Sequence, residues 1–139
     1  MRLLIDTNVM LDVLQNRKDF VHDSSLVWKM CEAKLTEGFV SALTFTDAVY
    51  VMRRELTPAK IHAVFQKLSA IFCVADLLPC DLQKAAQAEW DDFEDAVQSA
   101  TAERISADYI VTRNVRDFAK STCPAVAPSE IAAFLCRER

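Results

Sequence analysis

Two rhythms of hydrophobic and polar positions alternate along the chain. Short aliphatic runs closed by a charge read as buried strands. Longer stretches with apolar residues every third or fourth position read as helices. Residues 2–6 (RLLID) are a run of the first kind. Thr7–Leu14 follows with Val9, Met10, Val13 and Leu14 on a helical stripe, and the polar stretch 15–20 (QNRKDF) reads as a loop. From 22 to 36, Leu26, Val27, Met30, Cys31 and Leu35 recur at helical spacing, and Gly38 stands where a left-handed helix cap is expected.

Residues 39–42 predict a second strand, and 44–56 a helix with Phe45, Ala48, Val49 and Met52 on one face. Thr57 and Pro58 have the form of an N-cap and first helical position. They open an amphipathic helix carrying Ile61, Val64, Phe65, Leu68, Ile71 and Phe72. Residues 73–77 predict a third strand ended by Pro79, and 81–90 a helix capped by Asp81. The acidic stretch 91–95 leads into a helix over about 94–105. A strand at 108–112 (DYIVT), a last short strand around Val126 and a helix over 128–136 close the chain. Strands alternating with helices predict an α/β fold: a three-layer α/β/α arrangement with a central parallel sheet of four to five strands, as one domain over residues 1–139.

Composition narrows the chemistry. Of 139 residues, 52% are hydrophobic and 26% charged, ordinary for a globular chain able to bury a core. The single glycine excludes any glycine-rich phosphate loop. Two histidines, His22 and His62, far apart in sequence, argue against a zinc-hydrolase cluster. With 16 Lys+Arg against 20 Asp+Glu, contact with a nucleic acid has to rely on a local basic patch. Five cysteines without a C-x-x-C pair are expected to be free, buried thiols. The opening MRLLID meets a charge after three apolar residues, so no signal peptide is expected. No uncharged apolar run approaches the roughly 18 residues of a membrane span. The expected location is the cytoplasm, with no membrane partner.

In a parallel sheet, ligands collect outside the carboxyl ends of the strands. That rule sorts the acids. Asp6 ends the first strand, and Asp47 lies one turn into the helix after the second. Asp117 lies five residues past Thr112, which ends the fourth. Asp95 begins the helix that feeds that strand. Four acids from separate segments can meet at one edge. Two such charges about 5 Å apart repel by about 3 kcal/mol at an effective dielectric of about 20, so the cluster needs protons or a cation. All-oxygen ligands suit Mg²⁺ or Mn²⁺, and an ion held by few carboxylates keeps positions open for water and phosphate oxygens. The corresponding chemistry is phosphodiester hydrolysis.

These residues resemble a known family. Asp6-Thr7-Asn8-Val9 after an aliphatic strand is similar to the first motif of PIN-domain nucleases. The stretch from Ser41 through Thr44 to Asp47 matches the second. Phe93-Glu94-Asp95-Ala96 with Ala100-Thr101-Ala102 matches the third, and residues 108–118, including Thr112-Arg113-Asn114 and Arg116-Asp117-Phe118, the fourth. The resemblance implies a VapC-like, Mg²⁺-dependent (or Mn²⁺-dependent) endoribonuclease, the toxin half of a bacterial toxin–antitoxin pair. RNA would be the substrate, an antitoxin protein the partner and a homodimer the working form. It implies Asp6, Asp47, Asp95 and Asp117 as the catalytic metal ligands, with Asn8, Thr112 and Asn114 as polar supports. One departure is that Asp47 stands where the wider family has Glu, about 1.5 Å shorter in reach.

Arg113 and Arg116 stand close in sequence to the proposed acids and are expected to meet substrate phosphate. Phe118, Trp28 and Trp90 are expected in the core. A competing reading is a catalytically weak PIN-like module that binds RNA or protein. An aspartate-based phosphotransferase is disfavoured because Asn8 stands where its second aspartate would be.

Overall fold

A computed structural model describes residues 1–137. Five strands form one sheet: β1 (Arg2–Ile5), β2 (Glu37–Ser41), β3 (Cys73–Ala75), β4 (Tyr109–Val111) and β5 (Ala125–Val126). All pairings are parallel, in the order β3-β2-β1-β4-β5. The strand order therefore reverses beside β1, which lies between β2 and β4.

Seven α-helices accompany the strands among the described residues: α1 (Thr7–Leu14), α2 (Val21–Glu32), α3 (Ala42–Val51), α4 (Pro58–Ile71), α5 (Pro79–Ala88), α6 (Phe93–Arg104) and α7 (Pro128–Arg137). A 3₁₀ turn spans Val115–Phe118. The period-two alternation of a strand puts Leu3 and Ile5 on one face of the sheet and Leu4 on the other. Leu3 and Ile5 pack with Val9, Met10, Val27, Trp28, Leu68 and Ile131 from α1, α2, α4 and α7. Leu4 and Ile110 pack with Ala102 of α6 and with Phe118 and Cys123. The helices thus cover both faces, and the α/β/α expectation holds with five strands.

Local chemistry moved some boundaries. Gly38 is not a helix cap. It lies inside β2, and the turn after α2 uses Lys34 at φ 60°. A Cβ at Gly38 would lie 2.6 Å from Cys31 Sγ and 2.7 Å from Phe72 Cδ1, so the glycine is there for close packing. Asp81 is not the N-cap of α5. Leu78 holds that position and Pro79 the first turn, while Asp81 Oδ2 accepts the Leu78 N–H at 3.0 Å. The Asp81 carboxylate also takes the Arg104 guanidinium at 2.9–3.1 Å, which fastens the end of α6 to the start of α5. Ser41 opens α3 by accepting the Leu43 N–H at 3.1 Å, earlier than the apolar stripe indicated. All five cysteines are free among the described residues, but only Cys31 and Cys123 are buried. No helix of the described residues is long and apolar enough to cross a membrane.

Candidate active site

A cleft of about 350 Å³ opens where the sheet order reverses, beyond the carboxyl ends of β1 and β4. That is where an open parallel sheet offers a ligand crevice. Asp6 leaves β1 and is only 7% exposed. It caps α1: its Oδ1 accepts the Thr7 N–H at 2.8 Å. Its Oδ2 accepts the Thr112 hydroxyl at 2.8 Å, and the same hydroxyl oxygen accepts the Asn114 N–H at 3.0 Å. Thr112 is fully buried at the end of β4, so the two central strands hold Asp6 in one orientation.

Two helices supply the walls. Along α3, Leu43, Asp47, Tyr50 and Val51 line the cleft. Their spacing of four, three and one places them on a single helical face, while Thr44 and Ala48, next to it around the helix, are buried. From the start of α6 come Glu94, Asp95 and Gln98. Asp92 caps that helix by accepting the Asp95 N–H at 3.1 Å and also lines the cleft. Asp117 and Asn114 come from the 3₁₀ turn and the residue before it, and Asn8 from α1.

The four acids singled out from sequence therefore reach one cleft, and Asp92 and Glu94 join them. Among the described residues, none that lines this cleft is Lys, Arg or His. The uncompensated charge shows in the acidities. The Asp95 carboxyl is pushed up to about 7, first by desolvation and then by Asp92, Asp6, Asp117 and Glu94. Burial also holds Asp6 above the ordinary aspartate range, against the hydrogen bonds from Thr112, Thr7 and Gln98. Glu94 is raised by partial burial, by the charge of Asp47 and by a hydrogen bond between the two carboxyls. Among the described residues no three of these carboxylates stand close enough to form a preformed cage. The donor set is nonetheless all oxygen and over-charged, the chemistry that a hard divalent cation neutralises.

Gln98 and Thr44 were not singled out as site residues from sequence. The Gln98 amide, 3% exposed, donates to Thr44 Oγ1 at 2.7 Å, linking α6 to α3, and it helps to hold the Asp6 acidity down. Thr44 also accepts the Thr7 hydroxyl at 3.1 Å. The available signal was spacing: Gln98 falls one turn after Glu94 on the same face of α6.

Arg113 does not reach the cleft. Its guanidinium lies over the Phe20 ring at 3.8 Å, with Nε 3.0 Å from Asp12 Oδ2. Asp12 is fully buried in α1 and also accepts the Ser24 hydroxyl at 2.9 Å. A buried carboxylate requires a cation, and Arg113 supplies it. Arg17 adds charge at 3.7 Å and donates to Asn8 Oδ1 at 3.3 Å. Arg116 is exposed and, with Lys120 and Trp90, lines a smaller adjoining cavity that shares Asp92, Asp95 and Asp117 with the cleft.

Comparison with known proteins agrees with this fold. A family model described as the PIN domain matches residues 2–116. The chain belongs to the PIN domain family. Among solved structures, this PIN domain is similar to a toxin–antitoxin complex from Klebsiella pneumoniae, at 21% identity and a TM-score of 0.69, covering 91% of this chain and 97% of that one. It is also similar to VapBC2 from Rickettsia felis bound to a promoter DNA fragment, at 12% identity and 0.70, covering 91% and 98%. Similarity to Mycobacterium tuberculosis VapC20, a sarcin–ricin loop cleaving toxin, is 17% identity and 0.60, covering 78% and 86%. At these identities the likeness is one of fold. No curated protein sequence matches the chain.

Proposed function

We propose that this PIN domain is a divalent-metal-dependent endoribonuclease and the toxin half of a toxin–antitoxin pair. RNA is its substrate, a cognate antitoxin its inhibitory partner and a homodimer its working form. The observation that carries this reading is one cleft lined by six carboxylates and no cationic side chain, at the switch point of a parallel sheet. The similar structures support it: one is a toxin–antitoxin complex and another a sarcin–ricin loop cleaving toxin.

Asp6, Asp95 and Asp117 would hold Mg²⁺ or Mn²⁺, with Asp47 contributing from the facing helix. When bound, such an ion supplies a water of lowered pKa and offsets charge on the phosphate. The chain supplies orientation. Thr7 and Thr112 fix the Asp6 carboxylate, and Gln98 ties α6 to α3 through Thr44. Asn114 is held through its N–H by Thr112, and Asn8 through its side chain by Arg17. In this reading water is the nucleophile and no covalent enzyme intermediate forms; of the two side-chain hydroxyls that line the cleft, that of Thr7 is engaged with Thr44 and that of Tyr50 is a phenol.

Single-stranded RNA incubated with the protein and Mn²⁺ tests the reading. Cleavage is expected with Mn²⁺, absent with EDTA, and abolished in the Asp6→Asn/Asp95→Asn double variant. No cleavage of any of a varied set of RNAs retires the nuclease and leaves a binding module. Cleavage that the double variant retains points to a contaminant.

A further inference from the structure

The cleft has two unlike walls. The α6 and 3₁₀-turn side is acidic, whereas α3 presents Leu43, Tyr50 and Val51 around Asp47. Tyr50 is 64% exposed although it is a large aromatic on the lining of the cleft. It lies one helical turn beyond Asp47, on the same face of α3. One face of its ring is covered by the Arg53 guanidinium, 4.3 Å from the centroid. Arg53 is itself held in place, donating to the Tyr50 carbonyl at 2.9 Å. On the far side of the acids, the adjoining cavity brings Trp90, Arg116 and Lys120 against Asp92, Asp95 and Asp117. The two cavities share Asp92, Asp95 and Asp117, with the aromatic platform lining one and exposed cations lining the other.

We propose that Tyr50, backed by Arg53, is a base-stacking subsite for an unpaired nucleotide next to the phosphate held at the acidic cluster. The inference deepens the nuclease reading and rests on it for the class of ligand. A nucleobase offers a flat π face to any aromatic ring, and a cation on the opposite face of that ring strengthens the stack. A residue one turn from Asp47, about 5–6 Å away between Cβ atoms, is within about one nucleotide of the acids. A duplex has both faces of each base occupied by neighbours, so this platform selects a single strand. The basic end takes a backbone phosphate on the other side of the acids, which gives the strand a direction across the cleft.

The test is a binding cycle with the full chain and a fluorescent single-stranded RNA octamer. Ca²⁺ replaces Mg²⁺, and the strand is checked as intact afterwards. Tyr50→Ala is expected to weaken binding by about 5- to 100-fold. Tyr50→Phe should bind as the native protein does, and the salt dependence should be unchanged in both. Removing the base from one nucleotide at a time should, at one position, cost the native protein the same factor. It should cost Tyr50→Ala nothing further. Equal affinity of native and Tyr50→Ala proteins, a loss unrelated to any base, or no binding of the octamer overturns the subsite. A Tyr50 effect seen only on capture of a partner protein overturns it in favour of a protein-docking surface. Cleavage of the same octamer with Mn²⁺ tests the nuclease reading separately. Base-dependent binding without cleavage retires the nuclease and keeps the subsite.

Discussion

At the scale of single residues, the site is a set of carboxylates kept together against their own repulsion. Asp95 carries the clearest signature, with its carboxyl pushed up from the ordinary aspartate range to about 7. The native state then binds a proton that the unfolded chain releases between about pH 4 and 7. Stability of the metal-free protein therefore falls as pH rises through that window. Asp95→Asn removes the penalty. In EDTA the variant should melt together with the native protein near pH 4 and above it near pH 7. The difference should be about 1–2 kcal/mol after solvent screening of a partly exposed cluster. Melting curves that stay superimposed at both pH values would show that the Asp95 carboxyl is not raised in the folded protein. Asp6, Asp47, Asp95 and Asp117 were legible in sequence because each follows, or begins a helix beside, a strand end. Asp12 was not, because its burial depends on Arg113, about a hundred residues away. For the same reason Arg113, close to Asp117 in sequence, faces Asp12 instead of the cleft.

At the scale of elements, each helix is fastened at the end that presents an acid. Asp92 caps α6 so that Asp95 and Glu94 enter the cleft in its first turn. Arg104 anchors the other end of α6 to Asp81 and to Asp76. Strand β2, which delivers α3 and Asp47, depends on Gly38. Its neighbours Cys31 and Phe72 approach within 2.6–2.7 Å of where a Cβ would stand. Gly38→Ala should destabilise the protein by about 1–3 kcal/mol in urea unfolding, as overpacked cores do. An unchanged midpoint would mean that α2 and α4 yield without cost. The apolar stripes found α1, α4 and α7 almost to the residue, since each has one face buried. The start of α5 was misplaced because Pro79 looked like a strand terminator, whereas Leu78 and Asp81 complete the first turn around it.

At the scale of the whole molecule, charge and topology converge on one prediction. A cation bound only by the folded state stabilises it, by about 2.7 kcal/mol at a hundredfold excess over the dissociation constant. Mn²⁺ should raise the melting temperature of the native protein and leave that of Asp6→Asn/Asp117→Asn unmoved. A melting temperature indifferent to Mn²⁺ in the native protein would remove the ion from the site. The alternation of short and long apolar runs was enough to determine an α/β chain, its strand ends and the four aspartates beside them. Periodicity is a local property, and a buried face announces itself within a few residues. Tertiary structure alone decided which distant side chains complete the site: Gln98 and Thr44 beside Asp6, Glu94 against Asp47, and Arg113 turned to Asp12. Those pairings follow from the order β3-β2-β1-β4-β5. That order places α1, α3, α6 and the 3₁₀ turn around one crevice, and no spacing along the chain encodes such a meeting.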